Sequence, residues 1–215
     1  MPVQRFREAI APWDEVKRDC TAGQKLIPKK SKQQPLPAPL PEGEVELVRL
    51  PEPPEHPSKR QRGQNTEIEY PYSDTQWVVR TDKPDGSKTV IPYHLDKRKN
   101  QQKGKGDHHW SLYRLDEVKQ YGLGKWVLGV EGEKATEAAR SLQLVAVTGQ
   151  GADWKDTSKI ESGLRQLQKM GVEVFVYWRD FDEAGKKIAD MISNAAAKIG
   201  LPCLIPDPST FGAKC

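Results

Sequence analysis

Long hydrophobic runs are missing from this chain. No apolar stretch approaches the roughly 18 residues a membrane helix needs, and the N-terminus has no apolar segment of the kind a secretory signal carries. Both absences point to a cytoplasmic protein without a membrane partner. Cysteine is equally scarce. Cys20, Cys203 and Cys215 are the only three, and none pair at Cys-x-x-Cys spacing, which excludes a legible zinc site. An odd, sparse count also argues against a disulfide framework and fits a reducing compartment. No Gly-x-x-x-x-Gly-Lys-Ser/Thr segment occurs, so no P-loop ATPase is present. Charge of one sign is only mildly in excess. Among 215 residues the formal net charge is +4, which permits a nucleic-acid partner without demanding one.

Proline is plentiful, and it is concentrated. Nine of the seventeen prolines fall between Pro28 and Pro57. Proline locks φ and removes a backbone donor, so this stretch is expected to be extended and solvated. Residues 1–65 therefore read as a tail and proline-rich linker, largely disordered. Within them Phe6, Ala9, Ile10 and Trp13 have rough helical spacing, interrupted by Pro12.

From residue 66 the texture changes. Segments 67–72, 76–80 and 89–93 are short and rich in Ile, Tyr, Trp, Val and Thr, as strands are. Pro84-Asp85-Gly86 is a turn signal, so 76–93 reads as a hairpin. The polar, glycine-containing stretch 96–106 reads as a flexible loop. It carries five basic residues, Lys97, Arg98, Lys99, Lys103 and Lys105, able to neutralise phosphates. Tyr93, Trp110 and Tyr113 flank it and could stack on unpaired bases; a solvated loop beside core aromatics is the equal alternative. Residues 110–115 read as another strand and 116–121 as a short helix. Together 66–125 form a small β-rich basic subdomain. His108 and His109, adjacent and so opposed in a strand, make a poor metal pair.

The clearest pattern lies in residues 126–215. Apolar runs at 126–130, 144–148, 173–178 and 202–205 alternate with helix-spaced segments at 133–142, 159–170 and 184–199. Such alternation is the signature of a parallel sheet flanked by helices. Segment 149–153 reads as a loop. Trp126, Trp154 and Trp178 read as packing residues.

In an open parallel sheet, functional groups collect beyond the carboxyl ends of the strands. Glu131 follows the first of these runs, and Asp180 and Asp182 follow the third. Residues i and i+2 of an extended chain point to one side, so the two aspartates could face one point. Glu131 faces it too if the first and third strands are neighbours. Clustered carboxylates repel one another, and a hard divalent cation such as Mg²⁺ or Mn²⁺ resolves the conflict. Lys134 could add positive charge near a phosphate, and Gly185 opens a helix whose positive end lies close by. Each acid taken alone is as well explained as an ordinary surface acid at a strand end or helix start.

The segments Val127-Leu128-Gly129-Val130-Glu131-Gly132-Glu133-Lys134 and Val174 to Gly185, with its Trp178-x-Asp180-x-Asp182-Glu183-Ala184-Gly185 form, resemble the TOPRIM domain of bacterial-type primases, topoisomerases and some nucleases. With the 148–154 loop, they are more closely similar to primase and primase-helicase proteins of phages, plasmids and other mobile elements. The resemblance is looser over 66–120 and absent from 1–60. It implies a four-stranded TOPRIM-like sheet and DNA primase-type nucleotidyl transfer on single-stranded DNA with nucleoside triphosphates. Glu131 would be catalytic, and Glu131, Asp180 and Asp182 would hold Mg²⁺ (or Mn²⁺). Lys134 and Gly185 would serve phosphate or nucleotide binding. Lys97, Arg98, Lys99, Lys103 and Lys105 would hold the template. A zinc-binding primase module and a further acidic cluster, usual in such proteins, have no counterpart in this sequence. The chain thus reads as a fragment or subunit, with a helicase or zinc-binding primase subunit as a possible partner. A TOPRIM-type nuclease or a non-catalytic nucleic-acid-binding remnant are the alternatives.

Overall fold

The computed structural model describes residues 38–40, 47–52, 54–107 and 109–207, with the backbone alone for Ala152. The helix-spaced residues 6–13, His108 and most of the proline-rich stretch lie outside the described residues.

Five antiparallel strands come first: β1 (Lys59–Arg62), β2 (Asn65–Ser73), β3 (Gln76–Asp82), β4 (Lys88–Leu95) and β5 (Gln101–Lys103), in that order across the sheet. The β3–β4 turn closes as expected. Gly86 has a positive φ of 79°, and Asp85 accepts a hydrogen bond from the Ser87 amide at 2.9 Å. Within the stretch read as a flexible loop, 96–100 is instead a tight hairpin turn, and Gln101–Lys103 is β5. Asp96 accepts from the amides of Arg98 (2.8 Å) and Asn100 (2.9 Å), an Asx device that holds the turn without glycine. β1 also lies within the stretch assigned to the linker.

One face of this sheet packs Tyr70 and Val78 against Trp110 and Tyr113, all buried. Residues 110–115 are therefore not a strand. They run as extended chain with a single bridge, Tyr113 to Thr148, and Arg114 turns the backbone at φ 62° into α1 (Leu115–Tyr121).

The second part is a mixed α/β unit. Strands β6 (Trp126–Gly129), β7 (Ala146–Val147), β8 (Val174–Tyr177) and β9 (Cys203–Leu204) form a parallel sheet in the order β7-β6-β8-β9. Helices α2 (Glu133–Ser141), α3 (Thr157–Lys169) and α4 (Glu183–Ile199) cross between them, and segment 149–153 leads into a 3₁₀ turn (Gly151–Lys155) rather than an open loop. The strands are apolar throughout because both faces are covered. Val127, Val145, Val147, Phe175 and Tyr177 share one buried cluster with Ile160, Leu164, Ile188 and Ile192 of α3 and α4. Leu128, Val130, Ala146, Val174 and Val176 face the other way with Ala139 of α2. Full burial of side chains such as Leu164 and Ile192 stabilises by about 1.5–3 kcal/mol each.

Part of the presumed spacer belongs to this core. Val48 and Leu50 are buried. The Val48 amide donates to the Trp126 carbonyl at 3.2 Å, and the Val145 amide donates to the Val48 carbonyl at 3.0 Å. Alternating Val48, Leu50 and exposed Arg49 is strand-like, but so short an alternation in a proline-rich stretch carries too little periodicity to stand out.

A buried ion network ties α1 to α2. Arg140, with 3% of its side chain exposed, donates to both oxygens of Glu117 at 2.6–3.0 Å and to Glu137. Glu137 also accepts from the Tyr113 hydroxyl at 2.7 Å and Arg114 Nε at 2.9 Å. Removing the shared cation would strand Glu117 in poor solvent and leave Glu137 with Arg114 and the Tyr113 hydroxyl. We predict that Arg140→Ala lowers unfolding free energy by about 3–5 kcal/mol, read as a lower urea midpoint. A loss below 1 kcal/mol would show the network to be a solvated surface feature.

Candidate functional site

β6 and β8 are direct neighbours, with Gly129 opposite Tyr177. The Trp178 amide donates to the Gly129 carbonyl at 2.8 Å, extending the ladder one step past the strands. Glu131 and Asp180 leave the sheet just beyond this point, at its carboxyl edge. There the Asp180 amide donates to Glu131 Oε1 at 3.2 Å.

Gly185, in the first turn of α4, completes the corner. A Cβ on it would sit 2.4 Å from the Asp180 carbonyl oxygen and 2.7 Å from Glu131 Oε1. The end of β8, the start of α4 and the Glu131 carboxylate are thus packed so closely that only glycine fits. Asp182 is the N-cap of α4, and its Oδ1 accepts from the Gly185 amide at 2.7 Å. One of its oxygens is therefore engaged in a helix cap, which is the ordinary role of aspartate at such a position. The Gly185 amide is engaged by the same bond.

The chain bends at Phe181 and Asp182, so the period-two argument for the aspartate pair does not describe this segment. Among the described residues, no three His, Cys, Asp or Glu side chains are close enough together to enclose a metal ion. The three acids are brought to one edge, with Glu131 meeting the Asp180 backbone rather than its carboxylate.

Burial raises the pKa of Glu131 above its ordinary value. The Asp180 amide opposes this, the charges of Asp180 and Asp182 add to it, and the charge of Lys155 opposes it. Lys155 ends the 3₁₀ turn after β7 and was not singled out in the sequence, where nothing marks a lysine 24 residues from Glu131 as its neighbour. Lys134 is exposed in the first turn of α2. Beside it, Glu133 accepts from the Tyr72 hydroxyl of β2 at 2.8 Å.

Tyr177 is another residue the sequence did not mark. Its ring is fully buried, and its hydroxyl has no hydrogen-bond partner. Burial pushes the phenol pKa well up, and the charges of Glu131 and Asp180 push it further. An orphaned buried hydroxyl is costly.

The basic stretch divides. Lys97, Arg98, Lys99 and Lys103 are exposed on the β4–β5 hairpin, and none takes part in an ion pair among the described residues. Lys105 instead crosses to the α/β unit. Its Nζ lies 2.7 Å from Asp153 Oδ1 and 3.2 Å from the Gln150 carbonyl, so its charge is spent on an internal ion pair. Lys159 shares Asp153 at 2.9 Å. The aromatics divide too. Trp110 and Tyr113 are core residues, unavailable to a base, whereas Tyr93 remains partly exposed. Trp154 is a packing residue, its indole donating to the Val130 carbonyl and Thr148 Oγ1 at 3.0 Å. Trp178, by contrast, is 37% exposed.

No family model and no curated protein matches the chain. Among solved structures, the chain is similar to one in the bacteriophage T7 lagging-strand DNA polymerase interacting with primase domains of two gp4 subunits bound to an RNA/DNA hybrid and dTTP. Identity is 21%, coverage is 66% of this chain and 69% of that one, and the TM-score is 0.38. Among the described residues, no helix is long and apolar enough to cross a membrane.

Two substitutions test the corner. Alanine normally gains about 0.5–1 kcal/mol over glycine inside a helix. At Gly185 the overlap falls on backbone oxygen, which cannot swing away, so overpacking of about 1–3 kcal/mol wins. Gly185→Ala should therefore lower the urea midpoint, and a rise would show the corner to be loose. Asp182→Ala should cost about 1 kcal/mol as a lost cap, while Asp182→Asn keeps the cap and the midpoint. Equal midpoints for the two variants would contradict the capping role.

Proposed function

We propose that this protein carries out DNA primase-type, Mg²⁺-dependent nucleotidyl transfer on single-stranded DNA, as a TOPRIM-like fragment or subunit. One observation carries this reading. Glu131 meets Asp180 and Gly185 at the carboxyl ends of two adjacent parallel strands, and these are the residues on which the sequence resemblance rests.

The donor set suits a hard cation. Mg²⁺ is commonly held by one or two carboxylates, with water and phosphate oxygens completing its shell. Asp180 and the second oxygen of Asp182 would hold it, with Glu131 beside them, so three converging side chains are not required. When bound, it would screen triphosphate charge and polarise phosphate oxygens. Glu131, with its raised pKa, is suited to take the proton of an attacking 3′ hydroxyl. Lys155 and Lys134 would stand near the triphosphate, and the first turn of α4 at Gly185 would turn its positive end toward it. Catalysis of this kind is mostly positioning and electrostatics, which a sparse carboxylate edge can supply. Lys97, Arg98, Lys99 and Lys103 would neutralise template phosphates. Lys105 is better assigned to joining the two parts of the protein.

A second reading has its own observation. Asp182 is engaged as a cap, and among the described residues no three acids are close enough to enclose a metal ion, which is what a non-catalytic nucleic-acid-binding remnant would retain. One assay separates the readings. With labelled single-stranded DNA, nucleoside triphosphates and Mg²⁺, chain extension supports the primase reading. Shortening indicates a TOPRIM-type nuclease, and binding without either indicates the remnant. If extension occurs, Asp180→Asn should reduce it about 100-fold or more, the scale at which lost charge-stabilising groups act. Undiminished extension by that variant would remove the carboxylate edge from the mechanism.

A further inference from the structure

The five-stranded sheet has two faces, and the described residues cover only one. Tyr70 and Val78 point to the face packed by Trp110 and Tyr113. Strand register puts Trp77, opposite Tyr93, on the other face, with Val79 opposite Ile91 in the next row. Side chains alternate along a strand, so these residues share a side away from the core. None of the four belongs to a buried cluster among the described residues, and all are partly exposed.

Trp77 and Tyr93 lie with ring centroids 5.9 Å apart and planes within 10°. Lys103 of β5 stands directly opposite Tyr93, on the same face. The row Trp77–Tyr93–Lys103 thus runs across the strands from two parallel rings to a cation. Beyond it is the hairpin tip with Lys97, Arg98 and Lys99. At the far edge, Arg60 and Arg62 reach Glu67 at 2.9 and 3.4 Å, with side chains 63% and 78% exposed. The acids on this side are few. Glu67 is matched by those two arginines, Asp96 is taken up by its own turn, and Glu69 remains.

We infer that this open sheet face is a docking platform for single-stranded nucleic acid, with Trp77 and Tyr93 stacking on unpaired bases and Lys103 with the hairpin tip holding the phosphates. Flat aromatic surface and unpaired cations in one row fit an unstacked polynucleotide, because every base offers a π-face and every linkage a negative charge. A duplex buries its base faces and would leave the rings without partners. The inference deepens the proposed function by placing the strand on the β-sheet part of the protein, and it requires neither metal nor catalysis.

The test is fluorescence anisotropy of a labelled oligothymidylate with the full chain, in EDTA and without nucleotides. Trp77→Leu and Tyr93→Leu keep apolar bulk and remove the rings; each should weaken binding about tenfold. Trp77→Phe and Tyr93→Phe should stay within about threefold of the wild type, since the ring is kept. Lys103→Ala should weaken binding and flatten the dependence of log affinity on log salt by about 0.7. That exposed position also serves as the arbiter should a leucine variant fail to fold. Wild-type affinity in well-folded leucine variants and in Lys103→Ala would overturn the inference, as would absence of binding by the wild type. If the leucine variants changed the mass measured by light scattering but not the affinity, the face would be a contact for a second copy, and the inference would again fail. Oligonucleotide binding without chain extension would leave this face standing and remove the catalytic reading. Extension with unaltered binding by the variants would do the reverse.

Discussion

The pairing of β6 with β8 is the constraint on which the candidate site depends. Four residue pairs, from Trp126 with Val174 to Gly129 with Tyr177, lock two strands that are almost fifty residues apart in the chain. The fit is close. A Cβ on Gly129 would lie 2.1 Å from the Phe175 ring, so a side chain there would push Phe175 out of the core and the neighbouring strand with it. With the register held, Glu131 and Asp180 emerge at one edge, and α4 starts against them. Without it, the two acids would be unrelated residues on separate loops.

Two groups of carboxylates in this protein show how partners separate scaffold from site. Glu117 and Glu137 sit among matched donors: Arg140, which they share, with Arg114 and the Tyr113 hydroxyl on Glu137. Such acids hold elements together and have nothing left to offer a ligand. Glu131 has one backbone amide and the more distant charge of Lys155. These two groups offset only part of the burial and of the repulsion from Asp180 and Asp182. At this edge like charges are assembled with few donors of their own, unlike the matched network between α1 and α2.

The antiparallel sheet is joined to this edge by specific polar contacts as well as by packing. Tyr72 reaches Glu133 at the start of α2, Lys105 reaches Asp153 after β7, and Tyr113 bridges to Thr148. These contacts take up residues that composition alone offers to a nucleic acid. What remains outward is the hairpin tip, with four of the five cations of the basic stretch, and the open sheet face beside it.

The sequence by itself determined the elements whose pattern is local and repeated. Apolar runs bounded by helix-spaced segments were enough for the parallel sheet and its helices, because a strand buried on both faces must be apolar at every position. Pro84-Asp85-Gly86 was enough for the β3–β4 turn, because turn geometry is set within a few residues. The placement of Glu131 and Asp180 just past strand ends was legible for the same reason, whereas Asp182 turned out to cap α4. Only the tertiary structure decided which partners each side chain meets. Trp110 and Tyr113 look like stacking residues until Tyr70 and Val78 cover them. Lys105 looks like its four basic neighbours until Asp153, 48 residues away, takes its charge. Val48 and Leu50 look like spacer until Trp126 of β6, with Gln143 and Val145 ahead of β7, supply their hydrogen bonds. In each case the deciding energy is a desolvation or pairing term between residues far apart in the chain. No local pattern of residue types carries that information.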